Sequence, residues 1–202
     1  MEENTINKQN EVKEEKKSTL IEDVYDLIQV FIQAIIIIAL IFIFIFRIAG
    51  VSGNSMYPTL HNKDWLVLSN INYEAKRGDI VVCSQPNAFN EPLIKRIIAV
   101  GGETVNIKEN GDITINGEII DEPYIAEVTK VMGDGGVTFP HTVPDGYYFV
   151  MGDNRNYSSD SRFSTVGDID GRYIVGEAKM RLLPIGNNKI AYNGIEYDID
   201  KD

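Results

Sequence analysis

From Leu27 to Phe46 the chain reads LIQVFIQAIIIIALIFIFIF, a run in which only Gln29 and Gln33 are polar. As a helix this stretch would be about 30 Å long, enough to cross the hydrocarbon core of a bilayer. It is apolar on every side, so it has no polar face to turn toward water, and a membrane span explains it better than a buried core helix. A cleaved secretory leader has an apolar region of about 7–15 residues. This run is longer, and no small-x-small pattern closes it cleanly, although Ile48-Ala49-Gly50 comes near. The pattern predicts an uncleaved anchor over 25–49, preceded by a polar tail (1–24) and followed by a separate domain (50–202).

Beyond the anchor the period changes. Short β-branched or aromatic runs, most of them bounded by Gly, Asn, Asp or Pro, predict strands at 65–68, 79–82, 93–100, 147–151, 172–175 and 178–183. Thr104–Ile107 and Asp112–Ile115 both alternate and are separated by Asn110-Gly111, the preferred pair for a tight hairpin turn. A second Asn-Gly follows at 116–117. No helix-period stretch stands outside the anchor. The glycine-bearing stretch 127–146 predicts a loop excursion, and the segment after Pro184 is polar. The fold class expected is mainly β, a mostly antiparallel sheet domain behind one N-terminal transmembrane helix.

Composition narrows the chemistry. The formal charge of −11 over 202 residues leaves no basic surface for phosphates, so nucleic acid is not an expected partner. One cysteine, Cys83, rules out an intrachain disulfide and a Cys-based metal site. It lies in the apolar run Ile80–Cys83 and reads as a small core residue. Trp65 likewise reads as a core residue, with contact to lipid or substrate as the alternative for it and for Met56. Lysines 8, 13, 16 and 17 precede the anchor, whereas Arg47 alone follows it before Lys63. By the positive-inside rule the tail stays in the cytoplasm and the β domain lies outside.

There are two histidines, His61 and His141. Either could complete a Ser-His-Asp triad, since triads assemble in space and sequence spacing excludes neither; surface or loop histidines are the plainer reading. Asp168-Ile-Asp170-Gly171 lacks the remaining acidic positions of a calcium loop. The strand Leu93–Val100 carries two adjacent cations, Lys95 and Arg96, one on each face under strict alternation. One cation could reach water through its stem and the other pair with a carboxylate. Alternatively one is desolvated, which favours its neutral form and makes it a general base. Lysine can lose its proton in this way and arginine cannot, so any base of the pair is Lys95.

Four stretches stand in order behind the anchor: GNSMYPTL (Gly53–Leu60), RGDIVV (Arg77–Val82), IKRIIAVGGE (Ile94–Glu103) and GDNRNYSSDSR (Gly152–Arg162). Together they resemble the ordered boxes of the bacterial type I signal peptidases, over roughly residues 25–184. The resemblance implies a Ser/Lys endopeptidase that removes signal peptides from exported preproteins, needing no metal or other cofactor. It implies Ser55 as nucleophile, Lys95 as general base and Ser158 as the serine that hydrogen-bonds and orients the lysine amine. Asp153 would pair with Arg96, and Asp160 with Arg162, as structural support. The Ser55 backbone N–H is the natural oxyanion donor. Gly53 stands where Gram-negative members tend to have a serine that donates a second bond, which points to a Gram-positive-type enzyme. Val51, Leu60 and Ile94 are the aliphatics expected to line the pocket for small substrate residues.

Ile48 and Ser55 are close in sequence, so at most about 25 Å of extended chain separates them. The nucleophile is therefore expected near the bilayer, where substrates held by their own apolar segments would meet it. The expected partners are thus preproteins and the lipid bilayer. A second reading is a catalytically inactive membrane-anchored β module for binding or assembly. Loss of Ser55 or Lys95 would point there, and both are present.

Overall fold

The computed structural model describes residues 22–40, 46–130 and 136–184. The remaining residues of the N-terminal tail, of the anchor run, of the glycine-bearing loop and of the C-terminal stretch lie outside them. Two compact units are present, divided between Phe44 and Ile45.

The first unit contributes one helix, α1 (Glu22–Leu40). It is about 28 Å long, long and apolar enough to cross a membrane. Its side chains are exposed throughout.

The second unit is mostly antiparallel β-sheet. Its strands are β1 (Phe46–Gly50), β2 (Trp65–Ser69), β3 (Ile80–Cys83), β4 (Leu93–Val100), β5 (Thr104–Ile107), β6 (Ile113–Ile115), β7 (Glu118–Ile119), β8 (His141–Thr142), β9 (Tyr147–Met151), β10 (Ile169–Asp170) and β11 (Ile174–Leu183). Seven form a sheet in the order β1-β2-β11-β3-β4-β9-β10, and four form a smaller one in the order β7-β6-β5-β8. All pairings are antiparallel.

Residues 46–49, which the apolar pattern assigns to the anchor, belong instead to β1 and pair residue by residue with β2. An apolar run cannot by itself distinguish the end of a span from the start of a strand. Trp65 also departs from expectation: at the Gly50 end of β2 it is nearly half exposed. Cys83 is buried, and burial pushes its thiol up to about 12, so it is inert.

The two Asn-Gly pairs turn differently. Asn116 (φ 52°) and Gly117 (φ 89°) form the two-residue link between β6 and β7, with Ile115 opposite Glu118. Positive φ at both positions is the signature of a type I′ turn, which matches strand twist. The β5–β6 link is longer, because Ile107 pairs with Ile113 and of Asn110-Gly111 only Gly111 has positive φ.

Three apolar clusters hold the sheets. One joins Ile98, Ala99, Phe149 and Met151 of the large sheet to Val105, Ile113 and Ile115 of the small one. A second lies around Val81, Ile97 and Val150. The third, around Met56, Leu60, Leu66 and Ile80, underlies the 51–60 segment. Strict alternation does not survive along β4. A register irregularity against β9 between Ile97 and Ala99 puts Ile98 and Ala99 in the same cluster. Such a bulge inserts one residue and switches the facing of those beyond it.

Candidate active site

The Ser55 turn and the start of β4 come together. Ser55 lies in an irregular segment whose entry is fixed by Val51 N–H donating to the Asp64 carbonyl and Lys63 N–H donating to the Val51 carbonyl. Lys95, on β4 opposite Val81 of β3, has its Nζ 2.8 Å from Ser55 Oγ and 3.0 Å from the Ile94 carbonyl, to which it donates. Only 3% of Lys95 is exposed, and among the described residues no carboxylate forms an ion pair with it. Burial lowers the ammonium from its ordinary value, and the more distant Asp160 and Asp153 carboxylates only partly offset that effect.

Arg96, one residue on, is fully buried and fully engaged. It grips both oxygens of Asp153 at 2.8 and 2.6 Å, donates to the Gly78 carbonyl at 2.8 Å and stacks over the Tyr124 ring. Thr59 Oγ1 donates to the same carboxylate, tying the Ser55 segment to the 152–162 box. Asp160 pairs with Arg162 through two bonds of 2.8 and 2.9 Å and also accepts from the Gly152 N–H.

Ser158 and Leu60 do not take the roles the resemblance implies. Ser158 Oγ is buried but makes no hydrogen bond, to Lys95 or to anything else described. It packs against Gly152: a Cβ added there would lie 2.3 Å from Ser158 Oγ and 2.4 Å from the Ser55 carbonyl oxygen. Any side chain at 152 would thus push the box away from Ser55. Leu60 is completely buried in the core cluster with Leu66 and Ile80 and does not line the cleft. A leucine in this segment serves packing or pocket equally well on hydrophobicity alone.

The cleft beside Ser55 and Lys95 has a volume of about 600 Å³. Val51, Leu68, Val82, Ile94 and Val175 give it an aliphatic lining, and Met56 also contributes. Among the described residues no histidine lines it. His61 packs edge-on against Tyr57, and His141 Nε2 is 2.8 Å from an Asp168 oxygen. Asp170 is engaged by Arg172.

Sequence reasoning passed over several contributors. Arg155 is buried between Glu122, Thr129 and the Gly152 carbonyl. Glu122 lies outside all four boxes, and the only hint of it was that a buried arginine needs a carboxylate. Asn154 donates from its backbone N–H to the Ser55 carbonyl and from Nδ2 to the Asn54 carbonyl, both at 3.0 Å. Gly53 has φ +86° and donates to Asn62 Oδ1. That conformation suits glycine and disfavours any side chain.

A serine hydroxyl against a buried amine, on an antiparallel β framework, is the arrangement of a serine hydrolase that uses lysine where others use histidine. The chain belongs to the signal peptidase family, peptidase S26, whose model matches residues 24–183. It is 37% identical to signal peptidase I of Bacillus licheniformis over 182 residues, covering 85% of this chain and 95% of that protein. It is 41% identical to signal peptidase I S of Bacillus subtilis strain 168 over 160 residues, 75% of this chain and 84% of the relative. A crystal structure of a signal peptidase I from Enterococcus faecalis V583 aligns at TM-score 0.42 and 30% identity, over 52% of this chain and 97% of that one.

Proposed function

We propose that this protein is a membrane-bound serine endopeptidase that removes N-terminal signal peptides from exported preproteins, with Ser55 as nucleophile and Lys95 as general base. The observation that carries the reading is the 2.8 Å contact between Ser55 Oγ and a buried Nζ that, among the described residues, no carboxylate pairs. A protonated Nζ donates to Oγ. Once neutral, the same nitrogen accepts the hydroxyl proton as Oγ attacks the scissile carbonyl. The tetrahedral oxygen is met by the Ser55 N–H, which no hydrogen bond occupies among the described residues. The protonated amine then delivers its proton to the leaving nitrogen, and a water activated by the neutral amine hydrolyses the acyl-enzyme.

The aliphatic cleft suits the small residues that precede a signal-peptide cleavage point. Helix α1 is the anchor, its tail on the cytoplasmic side by the lysine count and the β domain on the other. Asp153, Asp160 and Arg162 hold the site's shape without touching substrate.

The test is cleavage of a purified preprotein in vesicles by wild type and by Lys95→Ala, with the new N-terminus sequenced. The reading requires a cut after a small-x-small sequence that disappears in the variant. Absence of any cut by folded wild type would overturn it.

A further inference from the structure

We propose that Asn154 is a positioning residue for this reaction, setting the aim of the backbone donor that the nucleophile's turn presents to the oxyanion. The proposal rests on the Ser/Lys peptidase reading above.

The Asn54 carbonyl and the Ser55 N–H belong to one trans peptide unit. Such a unit is planar, so its C=O and N–H point in opposite directions and fixing one fixes the other. Asn154 Nδ2 donates to that carbonyl at 3.0 Å. The Asn154 N–H donates to the Ser55 carbonyl, also at 3.0 Å, which fixes the next peptide plane. One residue, 100 positions away from Asn54 in sequence, therefore bonds to both planes flanking the Ser55 Cα, and the Tyr57 N–H adds a local bond of 3.2 Å to the Asn54 carbonyl.

The Ser55 N–H has no competing acceptor among the described residues, whereas the Gly53 N–H is committed to Asn62 Oδ1 at 3.1 Å. Gly53 brings no side-chain donor, and its φ of +86° disfavours one. The direction of the Ser55 N–H governs how well it meets a developing oxyanion, because preorganisation is what makes such a donor effective. Asn154 is itself held by its neighbours. Gly152 is bonded by Asp160 and Arg155, and Asp153 by Arg96. It does not line the cleft, so its effect reaches the reaction through Ser55.

The experiment compares wild type with Asn154→Ala and Asn154→Asp, all full-length in detergent. The aspartate keeps size and shape but sets an acceptor against the Asn54 carbonyl, so a loss shared by both variants is not a packing effect. Preprotein cleavage should show kcat down about tenfold with KM little changed, the size expected for one hydrogen bond. A peptide aldehyde ending in Ala-x-Ala supplies a second readout. Ser55 Oγ adds to its carbonyl carbon, the C=O π pair moves onto oxygen, and the Oγ proton passes to Lys95 Nζ, leaving an oxyanion at the Ser55 N–H. Affinity for the aldehyde should fall by about the same factor as kcat, while affinity for the corresponding peptide alcohol stays the same. The pH profile of Asn154→Ala should keep its wild-type position, because Lys95 bonds to Ser55 and Ile94 and not to Asn154.

Wild-type kcat and aldehyde affinity in both variants would overturn the proposal. Equal losses for aldehyde and alcohol would overturn it too, since they would mean a generally loosened site. Ser55→Ala, measured alongside, separates the two levels. If it still cleaves, the peptidase reading fails. If it is inactive while Asn154→Ala behaves as wild type, only the Asn154 proposal fails.

Discussion

Lys95 and Arg96 are adjacent cations on one strand, and their surroundings differ in nearly every respect. Arg96 meets a carboxylate through two bonds, a backbone carbonyl and an aromatic face. Lys95 meets one hydroxyl and one carbonyl. Both are buried, so burial alone does not decide what a cation does. A charge with a matched counter-charge stays charged and braces the fold, whereas a buried ammonium without one is biased toward the neutral amine. The strand's alternation sends the two side chains to opposite faces, which is how one short sequence supplies both a brace and an amine biased toward its neutral form.

The largest expected effect comes from removing the amine. Lys95→Met should lower kcat/KM by at least about 10⁴-fold, as loss of a residue acting in a catalytic unit does. Thermal unfolding should show a variant no less stable than wild type at neutral pH, because a buried unpaired cation has been replaced by an apolar chain of similar volume. Loss of stability with retained cleavage would break the comparison. The pH dependence sharpens it. With the folded value of Lys95 lowered, the unfolded chain binds the extra proton, so wild-type stability rises with pH from that lowered value up to the ordinary lysine value of about 10.4. Lys95→Met should lose that component of the slope.

On the other face, Asp153→Ala leaves a fully buried guanidinium without its carboxylate. A loss of about 3–5 kcal/mol in denaturant unfolding is expected. A small change would mean that Tyr124 and the Gly78 carbonyl suffice for Arg96. Next comes Gly152→Ala, whose Cβ would meet Ser158 Oγ and the Ser55 carbonyl oxygen well inside contact distance. Cleavage assays should show a loss of roughly 100-fold, the scale on which misplacing a reacting group operates. The smallest effect expected is that of Ser158→Ala. Its Oγ makes no hydrogen bond among the described residues, so stability should be unaltered and activity should fall far less than in Lys95→Met. A loss equal to that of the lysine variant would give Ser158 a direct part in catalysis.

The sequence was most informative where a residue type has one physical solution. A β-branched run located β4 and alternation located β5 and β6, whereas the tight Asn-Gly turn expected at 110–111 is found at 116–117. It was less informative where one composition fits two environments. The apolar run gave no sign that Phe46 begins a strand, and Leu60 looked as fit for a pocket as for the core. The bulge after Ile97 left no mark in the pattern. Lys95 stood out because a lone lysine among aliphatics is anomalous, whereas Asn154 and Glu122 are ordinary polar residues whose roles exist only once distant segments meet.

The most direct test of the central claim is an NMR titration of Lys95 in the full chain, with ¹³C at lysine Cε and Lys95→Met to assign the signal. The account predicts a midpoint below the ordinary lysine value of about 10.4, matched by the rise of kcat/KM with pH. A midpoint at or above that value, or a rate that is flat across it, would contradict a neutral lysine base.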